Sequence, residues 1–304
     1  MEKPNILHLF TPAPQASPFD VNMAYDAGYD AVVPYTGMRT QDVATLTQDA
    51  IFSRGPRGVR RTGIFLGGRD LGAALEMFDA ARKAMVPPFE VSVLVDPSGA
   101  FTTAAAAVAC VEKALQTHFQ ETFSGKRVLV LGGTGPVGAA AGVLAAQQGA
   151  SVQVASHSSR ERASQVCEMA RSRYRIELEP ALADDAALPG LVAQAQVIIA
   201  AAKAGTQVLG AAQLEQAAKL LVAADVNAVP PLGIAGIDVH DDAKSLPRVR
   251  AGAARGIGAL AIGNVKYQVE RGLLESMLGA DHAMYLDFVS AFEKAREVIA
   301  AAGR

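Results

Sequence analysis

The stretch VLVLGGTGPVG, Val128 to Gly138, decides how the rest of the chain is read. Four β-branched and leucine residues form a short buried strand, and the alanine-rich segment after Gly138 forms a helix. Between them lies Gly133-Thr134-Gly135-Pro136-Val137-Gly138, a GxGxxG turn in the strand–turn–helix setting that holds a dinucleotide pyrophosphate. Gly133 is expected to allow the tight turn, Gly135 the approach of backbone N–H groups to phosphate, and Gly138 the close packing of helix on strand. Unpaired N–H groups and partial positive charge at the helix start suit an anion. Pro136 falls in the first helical turn, where its missing N–H costs little. No GK[ST] follows, so the turn is not a mononucleotide P-loop.

The next strand leads into SVQVASHSSRER, Ser151 to Arg162. An NAD-specific unit ends this strand in a carboxylate that binds the ribose hydroxyls and repels a 2′-phosphate. Here Ser156, His157, Ser158, Ser159 and Arg160 come first, with no acid before Glu161. Serine hydroxyls can bond a ribose, and Arg160 can pair with phosphate. The loop therefore admits NADP and need not exclude NAD. The alternative is that these residues cap the helix starting near Arg160, and both roles can coexist.

Working outward, apolar runs alternate with helical patterns along the whole chain, the mark of parallel α/β architecture. Strands are expected at 5–10, 31–34, 63–67, 90–95, 128–131, 152–155, 197–201 and 220–224. Helices are expected at 19–27, 42–51, 71–84, 102–117, 137–148, 160–173, 261–278 and 284–302. Thr40 is the expected cap of the second helix, with Asp42 in its first turn. Residues 230–258 read as a Gly- and Pro-rich loop. The fold class is thus α/β: an N-terminal α/β domain for substrate and assembly (1–123) and a Rossmann-type NAD(P)-binding domain (124–260), with a cleft between them. Two C-terminal helices (261–304) are expected to pack back on the first domain, by fold analogy.

Composition narrows the function. Half of the 304 residues are hydrophobic and 19% charged, enough for a sizeable core. A net charge of −2, no tryptophan and 6% aromatic residues give neither a basic surface nor a base-stacking platform, so no nucleic-acid partner is expected. No run spans a bilayer, and MEKPNILHLF lacks a secretory leader, so a cytoplasmic protein without a membrane partner is expected. Cys110 and Cys167 lie in separate predicted helices without ligand spacing, and the five histidines are scattered; no metal is expected.

Loops after strand ends are where open α/β sheets place ligands. Four segments qualify: Pro18–Asn22 after the first strand, with Phe19 and Asp20; Val95–Thr103, with Asp96, Thr102 and Thr103; Ala224–Asp238, with Asn227; and Gly263–Lys266 at the start of the penultimate helix. Each has a plain structural reading too, as a helix-start acid, a cap or a surface residue. The basic connection Gly55–Gly63 is either a solvated loop or a contact for an anionic part of a substrate.

Taken together, SPFDVNMAYDAGYD (17–30), TGIFLGGRD (62–70), TTAAAAV (102–108), GGTGPVG (132–138) and NAVPPLGIAGID (227–238) are familiar. Over nearly its whole length the chain resembles the methylene-tetrahydromethanopterin dehydrogenases of methylotrophic bacteria. Strictly NADP-dependent members carry a Gly-Arg pair where this chain has Ser156-His157, so the serine-rich loop resembles the type that uses both NAD and NADP. The resemblance implies hydride transfer from a pterin-borne methylene group during formaldehyde oxidation, and a homotrimer or dimer of trimers. It implies that Asp20 and Lys266 act on the pterin, that Phe19, Asp96, Thr102 and Thr103 line its site, and that Asn227 orients the nicotinamide. The rival readings are a methylene-tetrahydrofolate dehydrogenase, a shikimate-type dehydrogenase and a non-catalytic NADP(H) sensor.

Overall fold

A computed structural model describes residues 3–247, 249 and 251–303. In chain order the elements are β1 (Ile6–Phe10), α1 (Pro18–Asp26), β2 (Ala31–Tyr35), α2 (Thr40–Phe52), α3 (Pro56–Val59), β3 (Thr62–Leu66), α4 (Leu71–Lys83), β4 (Ser92–Val95) and α5 (Ala100–Phe119). Then come β5 (Arg127–Leu131), α6 (Pro136–Gln147), β6 (Ser151–Ser156), α7 (Arg160–Met169), β7 (Glu179–Leu182), α8 (Leu188–Gln194), β8 (Val197–Ala200), α9 (Ala211–Leu214) and β9 (Val222–Asp225). The chain closes with β10 (Lys244–Ser245), β11 (Arg255–Ile257), α10 (Ala259–Met277), β12 (Tyr285–Leu286) and α11 (Phe288–Ala302). The expected α/β class is observed, with parallel strands dominating two sheets.

Two units are distinguished: Met1–Thr102 with Tyr267–Lys294, and Thr103–Lys266 with Ala295–Arg304. In the first, five strands run in the order β12-β4-β3-β1-β2, every pairing parallel. Strands β3 and β4 are buried at every residue, as suits strands covered on both faces. Strand β2 contains Pro34, which cannot donate to a ladder, and it lies at the edge. Phe101 and Phe288 are buried edge to face, 5.0 Å between centroids, and join the starts of α5 and α11.

The second unit has seven strands in the order β10-β11-β9-β8-β5-β6-β7. From β5 the chain proceeds outward to β6 and β7, then returns to β8, β9 and β11 on the other side, so the order reverses at β5/β8. That is the doubly wound dinucleotide topology, with its ligand crevice at the carboxyl ends of those two strands. Ala139–Ala145 of α6 are buried throughout, because alanine and glycine let the helix lie close on the sheet.

Several local expectations are corrected. Thr40 does not cap α2; it is the first helical residue, and the Asp42 carboxylate closes the helix start by accepting from the Arg39 backbone N–H and guanidinium. The helix expected over 160–173 ends at Met169 and continues as a wide π-type turn, Ala170–Tyr174, stopped by Arg175 in the left-handed region. Three strands were not anticipated between 179 and 257. β7 carries Pro180 at an edge, and the short β10–β11 pair is interrupted by glycine, so neither shows an apolar run.

Candidate functional site

The phosphate turn is built by four glycines with different surroundings. Gly132 has φ 73°, and a Cβ on it would come within 2.6 Å of Ala202 Cα and N, so it makes the tight turn that was expected of Gly133. A Cβ on Gly133 would strike Val154 Cγ1 at 2.6 Å, and one on Gly138 would strike Gly132 O at 2.6 Å and Gly133 Cα at 2.7 Å. Gly138 thus lets α6 close on the turn, as expected. Gly135, the N-cap of α6, is different: a Cβ there would meet nothing nearer than 3.5 Å. No protein contact requires glycine at 135, whereas a phosphate approaching the helix start does. Thr134, Pro136 and Val137 complete the turn and are half-buried. The turn fits a dinucleotide pyrophosphate.

At the end of β6 the serine loop divides its labour. The Ser156 hydroxyl, buried, accepts from Ser159 N–H at 3.2 Å. Ser159 caps α7, accepting from Arg162 N–H at 3.2 Å and donating to Glu161 Oε2 at 2.9 Å. The capping role is therefore real for these two serines. His157, Ser158 and Arg160 are exposed. No carboxylate stands at the strand end itself, so nothing there repels a 2′-phosphate.

In the same unit Asn227 follows β9. Its Oδ1 accepts from Gly205 N–H (3.1 Å) and Val229 N–H (2.9 Å), and its Nδ2 donates to Pro231 O (2.9 Å). Both ends of the amide thus shape the loop. Two residues earlier, Asp225 is buried and accepts from Asn227 N–H and Ile234 N–H, each at 3.0 Å. Burial pushes its carboxyl above the usual range, and the backbone donors only partly offset this. Asp225 falls within the segment singled out from the sequence, which assigned it no role of its own. Its signal was an acid at a strand's carboxyl end directly before a Gly- and Pro-rich loop. Lys266 lies in the second turn of α10, half-buried.

In the first unit the carboxyl ends of all strands lie at one edge. There α1 begins with Ser17 as cap and Pro18 in its first position; Phe19 is 45% exposed while Asp20 is only 4% exposed. Asp20 N–H reaches Ser17 Oγ at 3.4 Å. The strand order reverses between β1 and β3, which puts the start of α1 at that sheet's own switch point. Beyond β4, Asp96 and Thr102 are fully buried: Asp96 Oδ1 accepts from Phe101 N–H at 2.7 Å and Oδ2 from the Thr102 hydroxyl at 2.6 Å. The pair caps α5 over a short 3₁₀ turn in which Ser98 has φ 55° and donates to Gly68 O. Thr103, the next residue, is half-buried. Asp96→Ala is expected to lower unfolding free energy by about 1–3 kcal/mol, since a cap is lost and the buried Thr102 loses its acceptor. Denaturant titration measures this, and an unchanged midpoint would mean the cap is dispensable.

The basic connection lies elsewhere. Arg54 donates to Thr62 Oγ1 and Pro4 O, and Arg61 to Lys3 O. These tie the amino ends of β1 and β3, the edge opposite the one bearing Asp20 and Asp96. Within the connection itself Arg61 serves the backbone and Arg60 pairs with Asp281 at 3.6 Å, away from the ligand edge of this sheet. Among the described residues, no three His, Cys, Asp or Glu side chains gather as a metal site, and no helix is long and apolar enough to cross a membrane.

Residues 18–98 match the N-terminal family model of methylene-tetrahydromethanopterin dehydrogenase. The NAD(P)-dependent methylenetetrahydromethanopterin dehydrogenase of Methylorubrum extorquens is 47% identical over 298 residues, covering 97% of this chain and 98% of that protein. The chain belongs to the methylene-tetrahydromethanopterin dehydrogenase family. The bifunctional protein MdtA of the same organism is a more distant relative, 32% identical over 93% of this chain and 94% of its own. The fold is shared more widely: quinate dehydrogenase from Corynebacterium glutamicum, solved with NAD, has a TM-score of 0.56 at 13% identity, covering 97% of this chain and 98% of its own.

Proposed function

We propose that the protein oxidises methylene-tetrahydromethanopterin to the methenyl form, with hydride passing to NAD or NADP, in the oxidation of formaldehyde-derived one-carbon units. The observation that carries this reading is the 47% identity, end to end, to an NAD(P)-dependent enzyme of that activity. The ribose loop supports the use of both cofactors: exposed Ser158 offers a hydroxyl, exposed Arg160 offers a cation, and the strand end, held by Ser156, offers no repelling acid.

The substrate's chemistry explains what the chain lacks. The methylene carbon bridges two nitrogens whose lone pairs drive hydride out, leaving a methenyl cation spread over both. No proton has to be removed, so no general base is needed. When bound, the nicotinamide supplies the hydride acceptor. The chain's work is to hold and orient. The first turn of α6 and the phosphate turn take the pyrophosphate; Asn227, through its loop, sets the nicotinamide side. Asp20 faces the developing cation, Lys266 positions a polar group of the pterin, and Phe19, Asp96, Thr102 and Thr103 shape that site from α1 and the start of α5. We further read the protein as a cytoplasmic homotrimer or dimer of trimers.

The test is purified protein with methylene-tetrahydromethanopterin and either NAD or NADP, followed by nicotinamide absorbance. Turnover with both is expected, with kcat flat between about pH 6 and 9 because no essential base titrates. Turnover with the folate carrier alone would overturn the assignment. A bell-shaped profile would require a base that this reading leaves out.

A further inference from the structure

We propose that Asp225 is a positioning residue for hydride transfer, fixing the loop 227–234 at the carboxyl edge of the nucleotide-binding sheet. This rests on the dehydrogenase reading above. Asp225 ends β9, the strand next to β8 and the switch point, where the nicotinamide half of a dinucleotide lies in this topology. Its two oxygens accept from opposite ends of the loop: Oδ1 from Asn227 N–H and Oδ2 from Ile234 N–H, each at 3.0 Å. Gly233 packs so tightly on the carboxylate that a Cβ there would sit 2.5 Å from Oδ1.

The loop so fixed is bonded in turn to the segment after β8. Val208 and Leu209 N–H both donate to Gly233 O, Ala235 N–H donates to Leu209 O, and Gly205 N–H donates to Asn227 Oδ1. One carboxylate therefore holds the bend that joins two loops at the ligand edge. The groups meeting it are N–H donors, so it serves only as an acceptor. An amide of the same shape would turn an NH₂ group toward at least one of them. Keeping a charge 1% exposed with backbone donors as its partners is costly. That cost falls at the edge where the reacting ring must be aligned.

Two substitutions approach the contact from opposite sides: Asp225→Asn inverts one acceptor, and Gly233→Ala crowds the carboxylate. The probes are NADP and 2′-phospho-ADP-ribose, which lacks only the nicotinamide ring. In both variants the affinity for 2′-phospho-ADP-ribose should stay within about twofold of wild type, while kcat falls about tenfold to hundredfold, the effect of a small misplacement of reacting groups. Folded variants with wild-type kcat would overturn the assignment. So would fragment affinity falling in step with kcat, or failure of both variants to fold, since either makes Asp225 a residue of the scaffold in general. If the wild type binds NADP but turns over no methylene-tetrahydromethanopterin, the reaction is lost and not the clamp. The clamp then predicts weaker NADP binding with unchanged fragment binding, and equal binding of both probes in variants and wild type would overturn it.

Discussion

Asp20→Ala should lower kcat/KM for methylene oxidation by about 10²–10³-fold, the range for removing one preorganised group that stabilises charge formed in a transition state. Asp20 occupies the first turn of α1 at the ligand edge of its sheet, and it is buried while its neighbour Phe19 is exposed. A carboxylate there can oppose the positive charge that spreads over the pterin nitrogens as hydride leaves. The charge, rather than the shape, should matter, so Asp20→Asn should lose nearly as much as Asp20→Ala. Lys266→Ala should act mainly through KM for the pterin, because it positions a part of the substrate that does not react. Circular dichroism and steady-state kinetics together check both. Folded Asp20→Ala and Lys266→Ala proteins with near-normal kcat/KM would end both assignments.

Two glycines of one motif should behave in opposite ways. Gly138→Ala forces a methyl group against Gly132 O and Gly133 Cα, backbone atoms that cannot rotate aside. The expected result is a loss of about 1–3 kcal/mol in stability, together with loss of dinucleotide binding as the turn deforms. Gly135→Ala meets no protein atom inside 3.5 Å. Its melting temperature should match wild type, while NADP affinity falls about tenfold or more, equivalent to roughly 1.4 kcal/mol. Thermal melts with and without NADP separate the cases. A Gly135→Ala protein that binds NADP like wild type would show that the phosphate does not approach there.

The α/β class and the nucleotide turn were legible because both write local patterns. Val128–Leu131 of β5 and all of β8 are unbroken apolar runs, and α6 is a continuous alanine-rich stretch behind its glycines. Strands defined by their neighbours were not legible: β11 is three residues long and exists because β9 offers it a ladder. Within the glycine turn the pattern was plain but the assignment slipped by one residue. Which glycine must adopt positive φ depends on Ala202, seventy positions downstream. Asp225 lay within a segment singled out from the sequence but showed no role of its own there, since its partners are backbone N–H groups, which every residue but proline carries. Asp96 and Thr102 drew notice for their place in the chain, and the structure adds a capping bond that spans six residues.

The loop after β6 keeps its scaffold and its proposed nucleotide contacts on different residues. Ser156 and Ser159 point their hydroxyls into the turn and hold the start of α7, while His157, Ser158 and Arg160 face outward and leave those bonds alone. Exchanging an outward residue alters what a ribose or phosphate meets without loosening the helix behind it. Selection can then retune nucleotide preference by single steps that each leave a stable protein. Closely related chains of this architecture can thus diverge in electron carrier while the rest of the molecule stays the same.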